Sequence, residues 1–155
     1  MGAIITLRDE VEAIIQGMDE VEYLRATQGE ANIRLEESTI ECCIALHIDQ
    51  STATGSGTQT HIVKTIPTEI LFVYKNSGLD EKLYDIDSLV DLAEDKADEF
   101  HDRLIQSSVV SALGEPTDYE CQRLEAHKKY DSILSGVLYT WGVPVPRTKY
   151  YCNGA

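Results

Sequence analysis

Residues 86–113 contain a one-sided helical pattern, and this pattern most constrains how the chain can fold. Leucine, alanine and phenylalanine recur there at helical spacing, and carboxylates fill the positions between them. The apolar stripe comprises Leu89, Leu92, Ala93, Ala97, Phe100, Leu104 and Ile105; the predicted wet side comprises Asp91, Glu94, Asp95, Asp98, Glu99 and Asp102. The pattern predicts one long acidic helix, capped near Asp85 or Asp87 and ended by Gly114 and Pro116. Such a helix must bury its stripe, and a sheet is the natural partner.

A late strand, at about 130–145, is the clearest candidate for that sheet. Its alternate residues are apolar, so Val137, Tyr139, Trp141, Val143 and Val145 share one face of a continuous strand. Glycines at 136 and 142 predict bulges or close approaches of a neighbouring strand. Prolines at 144 and 146 exclude a central, fully paired position there.

The first half of the chain predicts one more helix and several strands. A helix from Thr6 to Gly17 buries the stripe formed by Leu7, Val11, Ile14 and Ile15. A short strand at 20–25 follows, then a strand at 39–49 with one buried face, and a flexible hairpin loop at 50–57. Since proline cannot donate a ladder hydrogen bond, we expect a break at Pro67, followed by a buried strand at 69–75.

Together these elements predict one α+β domain spanning residues 1–155. Its sheet is mostly antiparallel and packs against the N-terminal helix and the long acidic helix. An irregular tail at 146–155 is expected to complete the domain. The chain has 155 residues with an apolar fraction of 43%, enough for a real core. It contains no run near the ~18 apolar residues of a membrane span, so we expect no membrane partner.

The charge balance restricts the partners that the chain can have. It contains 13 basic and 27 acidic residues, which gives a formal net charge of −14. A protein this acidic repels the phosphates of nucleic acids, so specific DNA binding is not expected. The same repulsion would let DNA slide past an acidic wall, while a simpler interpretation is that the charge keeps the protein soluble.

The sequence predicts neither catalysis nor a cofactor. The four cysteines, at 42, 43, 121 and 152, lack a Cys-x-x-Cys pair and are expected to be reduced thiols. His47 and His61 could meet across the hairpin as a metal pair, but the missing further ligands favour exposed strand histidines. His101 is interpreted as a surface ion-pair residue, and Asp85, Asp87 and Asp91 as helix-capping carboxylates.

Candidate contact residues lie in two places. The late aromatic and basic residues suit an interface with an acidic neighbour, such as the acidic face of another copy. These candidates are Tyr139, Trp141, Arg147, Lys149 and Tyr150. The flexible loop supplies a second set, Thr54, Ser56 and Thr58.

The order of elements resembles the fold of phage tail-terminator and related neck-ring (tail-completion) proteins. Residues 130–140 are similar to that family's final strand, and residues 89–104 to its main helix. The resemblance implies a structural virion protein, made in the host cytoplasm, that forms a ring around the DNA channel of the phage neck or tail. It implies a homo-oligomer, expected to be a hexamer, and adjacent neck, portal or tail-tube proteins as partners. It implies no catalytic residue and no bound DNA sequence.

Two other classes of function stay open on the sequence. An acidic interaction or inhibitor protein would bind a basic partner through electrostatic steering. A small enzyme would need a pocket with convergent polar groups, which sequence does not display.

Overall fold

The computed structural model describes residues 3–27, 30, 42–48, 54–57, 62–75, 83–114, 118–129 and 132–147. Three helices and six strands are formed by these residues. The helices are α1 (Ala3–Gln16), α2 (Leu83–Ile105) and α3 (Ser108–Leu113). The strands are β1 (Val21–Ala26), β2 (Cys43–Ile48), β3 (Thr54–Gly57), β4 (Ile62–Lys75), β5 (Glu120–Lys129) and β6 (Ser132–Arg147).

The strands form one mixed sheet in the order β1-β2-β4-β6-β5, with β3 paired to β4 outside this path. Only β1 and β2 run parallel; the other described pairs are antiparallel. The predicted α+β class, with a mostly antiparallel sheet against an N-terminal helix and a long acidic helix, is confirmed.

All three helices pack on one face of the sheet and enclose the larger apolar cluster. The helices contribute Leu7, Val11, Ile15, Val90, Ala93, Ala97, Phe100, Leu104 and Val110. The sheet contributes Cys43, Ala45, Ile66, Ile70, Phe72, Val137, Tyr139, Trp141 and Val143. From Val137 to Val143 the late strand therefore buries the face that its alternation predicts, because period-two spacing puts the odd-numbered residues of β6 on the helix side.

The opposite face of the sheet carries a second apolar cluster, centred on Ile44, Leu46, Ile48, Leu71 and Leu134. As a result, every residue of β2 is buried, and the prediction of a single buried face for this strand is wrong. A strand with both faces buried usually consists of consecutive apolar residues. In β2 the small residues Cys43 and Ala45 alternate with larger apolar ones, so the sequence looks like a strand with only one buried face.

The two long helices differ from the prediction at their ends. α1 begins at Ala3 instead of Thr6, but ends as predicted, with the Gly17 amide donating to the carbonyl of Ala13. The predicted 86–113 helix is two helices, because Ser107 caps α3 by accepting a hydrogen bond from the Val110 amide. Asp85 and Asp87 lie inside the first turns of α2 and are not its cap.

The buried stripe of α2 is shifted by a fraction of a turn from the predicted one. Val90 is fully buried, whereas Leu92 is 48% exposed and Ile105 is 49% exposed. The prediction places Leu92 and Ile105 in the stripe because leucine and isoleucine are usually interior residues, yet single exposed apolar residues are common on protein surfaces.

β4 runs without a break through Pro67, contrary to the prediction. Pro67, Pro144 and Pro146 occupy positions of the same parity in the β4–β6 ladder, opposite Gly142, Thr65 and Val63. Alternate residue pairs of an antiparallel ladder exchange no hydrogen bonds, so prolines confined to one parity cost the ladder nothing. On the other edge of β4, Pro67 falls between the stretch paired with β2 and the stretch paired with β3.

The sheet extends beyond Ile66 of β4 and Val143 of β6, which are the last core residues of those two strands, and β3 pairs with this extension. We call this extension the β tip; it consists of β3 together with residues 62–65 and 144–147. Four further residues per strand extend the sheet by about 13 Å. The predicted loop at 50–57 is therefore wrong for Thr54–Gly57, which form a strand, and the predicted irregular tail is wrong for Pro146 and Arg147, which belong to β6; residues 148–155 lie outside the described residues.

Across the described ranges, none of the helices has both the length and the apolar character needed to cross a bilayer.

Candidate functional site

The aromatic interface candidates of β6 belong to the core. Tyr139 is 0% exposed and Trp141 is 4% exposed, and both lie in the cluster beneath the helices. The proposal that these two side chains contact a partner is corrected accordingly: odd positions of β6 face α2, so aromatic residues there fill the interior. Trp141 Nε1 is buried with no hydrogen-bond acceptor within the described part of the chain.

Of the other candidates, Arg147, Thr54 and Ser56 are in the β tip. Arg147 ends β6, with its Cα opposite that of Ile62, whereas Lys149 and Tyr150 lie outside the described residues. Thr54 and Ser56 are in β3, paired with Thr65 and Val63, and are not in a loop. Thr58 lies outside the described residues.

A polar aromatic cluster lies where α2 meets the start of β5. The ring of Tyr119 stacks on the imidazole of His101, with ring centroids 3.9 Å apart and planes inclined by 28°. The Tyr119 hydroxyl donates to Oδ1 of Asp98 at 3.0 Å. Beneath them, His101 Nδ1 lies 2.9 Å from the hydroxyl of Tyr139. This chain of contacts joins the protein surface to the core.

The inner end of this chain is held by edge-to-face packing. The ring of Tyr139 is perpendicular to that of Phe100, with centroids 5.4 Å apart, and nearly perpendicular to that of Phe72 at 6.2 Å. Aromatic rings favour this arrangement because the positive edge of one faces the negative face of another. The packing fixes Tyr139, and Tyr139 in turn fixes the orientation of the His101 ring.

The environment of the cluster favours neutral rings. Desolvation lowers the pKa of His101, and the nearby carboxylates of Asp102 and Asp98 only partly oppose this effect. The hydrogen bond to Asp98 and partial burial raise the pKa of Tyr119, and burial raises the pKa of Tyr139. His101 is therefore a hydrogen-bonded aromatic residue, and its interpretation as a surface ion-pair residue is wrong.

Arg123 on β5 binds the same side of α2 closer to the N-terminus of the helix. Its two terminal nitrogens bind separate carboxylates, Asp91 Oδ1 at 2.8 Å and Glu94 Oε2 at 2.7 Å. Asp91 therefore binds across to the sheet instead of capping the helix. All three groups are substantially exposed, so the pairs position the two elements more than they stabilise the fold, at about 0–1 kcal/mol.

The outer surface of the cluster combines apolar and acidic side chains. Tyr119 is 37% exposed and Ile105 is 49% exposed. Ile105 lies four residues after His101, which places it on the same side of α2 as the ring that Tyr119 covers. Asp98 and the exposed Asp102 flank these residues. We call Tyr119, Asp98, Asp102 and Ile105 the α2–β5 surface.

The described cysteines are poorly suited to nucleophilic chemistry. Cys42, Cys43 and Cys121 are free thiols. Burial raises the pKa of Cys43 to about 12, and burial together with Asp98 and Glu94 raises that of Cys121 to about 11. Thiols with such pKa values stay protonated near neutral pH, whereas the thiolate is the reactive form.

The described residues contain no group of three or more histidine, cysteine or carboxylate side chains that could hold a metal ion. His47, expected to be exposed, is only 7% exposed, and its Nδ1 lies 3.0 Å from the hydroxyl of Tyr23. The predicted pairing partner, His61, lies outside the described residues.

Sequence reasoning missed His101 and Tyr119 as a pair. His101 comes four residues after the buried Ala97, at the border of the apolar stripe, which is one signal that its ring is partly covered. Tyr119 directly precedes β5, but its contact with α2 depends on the register of β5 against β6, and no local pattern encodes that register.

A scan against models of protein families finds no match to this chain, and no curated protein matches it.

Proposed function

We propose that this chain is a structural ring component of a phage neck or tail, a tail terminator or head–tail connector protein surrounding the DNA channel. The observation that carries the proposal is the β tip, a three-stranded extension of the sheet that projects about 13 Å past the last core residues. The order of elements in the chain is helix, strands, acidic helix and late strands. This order resembles that of tail-terminator and neck-ring proteins, and the resemblance supports the same proposal.

The β tip suits a subunit that joins its neighbours head-to-tail around a ring. A ring requires two different surfaces on each copy, one that reaches out and one that receives. The β tip starts beyond Ile66 and Val143, the last residues of β4 and β6 in the cluster under the helices, so a contact made there leaves α1 and α2 available for a different contact. One chain can in this way supply both halves of a head-to-tail interface.

The acidic surface suits a wall along which DNA moves. The chain carries a net charge of −14, and the exposed side of α2 holds Asp87 and Asp95, which lie outside the α2–β5 surface. Phosphates are repelled by such a surface at distances up to the Debye length, about 8 Å at physiological ionic strength. A lumen of this charge would enclose DNA without retaining it.

Native mass spectrometry with negative-stain imaging tests the proposal. We expect closed rings of one discrete copy number, six being the expected value, at both low and moderate salt. A variant in which residues 54–61 are replaced by a Gly-Ser turn should keep its far-ultraviolet circular dichroism and lose the rings. A wild-type chain that stays monomeric up to about millimolar concentration would overturn the proposal, since the ring geometry requires self-association.

A further inference from the structure

The α2–β5 surface has the composition of a docking site. Tyr119 and Ile105 expose apolar area, and Asp98 and Asp102 place negative charge beside it. Aromatic residues are enriched at the centres of protein interfaces, and charged groups at the rim set the choice of partner. A ligand for this surface should therefore combine aromatic rings with positive charge.

The chain itself contains a segment of that composition. Residues 147–151 read Arg-Thr-Lys-Tyr-Tyr, two basic residues and two aromatic residues within five positions. The whole chain contains only 13 basic residues against 27 acidic ones, so such a segment is unusual for it. Its tyrosines can stack on Tyr119, and its cations can face Asp98 and Asp102.

The geometry of the sheet separates this segment from the α2–β5 surface of its own copy. The start of β5, Glu120, lies opposite Thr140 of β6, and Tyr119 precedes Glu120 by one residue. β6 then continues to Arg147 at the end of the β tip, which lies about 20 Å along the strand from the level of Tyr119.

The residues after Arg147 do not cover that distance. To return along β6 the chain after Arg147 would first have to reverse direction, and a reverse turn takes four residues whose ends lie within about 7 Å of each other. Such a turn would leave Tyr150 about 20 Å and Tyr151 about 17 Å from the level of Tyr119, farther than one side chain spans. The same segment of a second copy has no such restriction.

We propose that residues 147–151 of one copy dock on the α2–β5 surface of the next copy. This inference rests on the proposed ring and names the two surfaces that join its neighbours. The contact is head-to-tail, because the donor segment at the β tip differs from the receiving surface on α2. Contacts of this kind close into rings when the rotation between copies allows it.

Paired variants of the full chain test the contact. On the donor side, Lys149→Glu should weaken self-association at least tenfold in sedimentation velocity, because it puts a carboxylate against carboxylates. On the receiving side, Tyr119→Ser and Asp102→Lys should do the same. Matched controls lie on the same helix: Leu92→Ser, whose side chain is as exposed as Ile105, and Asp87→Lys. Both controls should associate like the wild type.

Mixing two defective variants distinguishes docking between copies from docking within one copy. A Lys149→Glu chain keeps its receiving surface, and a Tyr119→Ser chain keeps its donor segment; the introduced serine creates no new charge pair with the introduced glutamate. Combined, they should form 1:1 heterodimers through one intact contact, at about wild-type strength. The inference is overturned if the mixture forms no heterodimer under conditions in which the wild-type protein self-associates.

A peptide of residues 143–151 tests the receiving surface even where no ring forms. Titrated against the full Lys149→Glu chain, it should shift the amide resonances of Tyr119, Asp98 and Asp102 and leave Leu92 unchanged. A peptide carrying the Lys149→Glu change should bind at least tenfold more weakly. Absence of binding by the native peptide would overturn the inference.

The results also separate the two proposals. Rings that persist in every donor and receiver variant would uphold the ring and overturn the tail contact. A wild-type chain that stays monomeric, with a peptide that still binds the α2–β5 surface, would uphold the contact and overturn the ring. If only an unrelated basic protein occupied this surface, the tail contact would be overturned in favour of an acidic interaction protein.

Discussion

His101 Nδ1 lies 2.9 Å from the hydroxyl of Tyr139, so one hydrogen bond joins the surface of α2 to a fully buried strand residue. With the imidazole proton on Nε2, the tyrosine hydroxyl is the donor. Tyr139→Phe removes this bond and leaves a partly buried ring nitrogen without that partner. We expect the free energy of unfolding, measured by urea denaturation, to fall by about 1–3 kcal/mol.

Tyr119→Phe is the matched control for that change. It removes the exposed bond to Asp98 and keeps the ring stacked on His101. Water replaces an exposed partner, so the expected loss is below about 1 kcal/mol. Equal decreases in the free energy of unfolding for the two variants would show that the buried hydrogen bond stabilises the fold no more than the exposed one.

The lowered pKa of His101 predicts that acid destabilises the fold. Desolvation in the folded state disfavours the imidazolium, whereas the unfolded chain takes up a proton near pH 6.5. Stability from this group is therefore present above that pH and lost as the pH falls below it. Asp98 and Asp102 oppose the shift, and Tyr119 and Tyr139 are neutral throughout this range.

Melting temperatures between pH 7.5 and 5 measure this effect. The wild type should lose more stability than His101→Gln over that interval, because glutamine cannot be protonated there. All other ionisable groups are the same in the two proteins, so the difference between the two curves isolates the histidine. Parallel curves would contradict the prediction.

Gly136 on β6 marks a place where two strands approach too closely for any side chain. A Cβ atom there would lie 2.1 Å from the carbonyl oxygen of Phe72 and 2.7 Å from Cα of Val73. Both obstacles are backbone, so they cannot rotate away. Gly136→Ala should cost about 3 kcal/mol or prevent folding, since overpacking of this kind forces backbone shifts.

Gly17→Ala provides the comparison for this change. The nearest atom to its added Cβ would be the carbonyl oxygen of Ile14 at 3.4 Å, an ordinary contact. We expect its melting temperature to stay within a few degrees of the wild type. A Gly136→Ala chain that melted equally close to the wild type would contradict the tight approach of the β4 backbone to Gly136.

Ser107 holds the turn between α2 and α3 through two hydrogen bonds. Its hydroxyl accepts from the Val110 amide and donates to Glu10 Oε1 on α1 at 2.9 Å. Ser107→Ala should lower the free energy of unfolding by about 1 kcal/mol, the usual cost of a lost helix cap. Ser108→Ala changes the exposed neighbouring serine and should cost less than half as much in the same chemical denaturation experiment.

The sequence predicts those parts of the fold that depend on local periodicity. The alternation of β6 identifies its buried face, and the carboxylates of α2 identify the wet side of that helix, because each pattern repeats within a single element. Gly136 could be recognised as a close approach for a similar reason: a glycine inside a strand leaves space that another backbone can fill.

Features that depend on pairing between distant residues could not be read in this way. Pro67 interrupts a strand when considered alone, and only the register with Gly142 shows that its missing N–H costs no ladder bond. The break before α3 contains neither glycine nor proline, and the cap at Ser107 depends on Glu10 almost a hundred residues earlier. Tyr119 meets His101 only after β5, β6 and α2 have packed together.

Pro144 and Pro146 disfavour the addition of a further strand at one edge of the β tip. Their missing N–H groups face away from β4, along the outer border of β6, so a strand arriving there would find two donors absent. A strand added at that border would lack two hydrogen-bond donors on β6 whatever its own sequence. At high protein concentration this border is therefore a poor template for the edge-to-edge strand pairing that leads to fibrils.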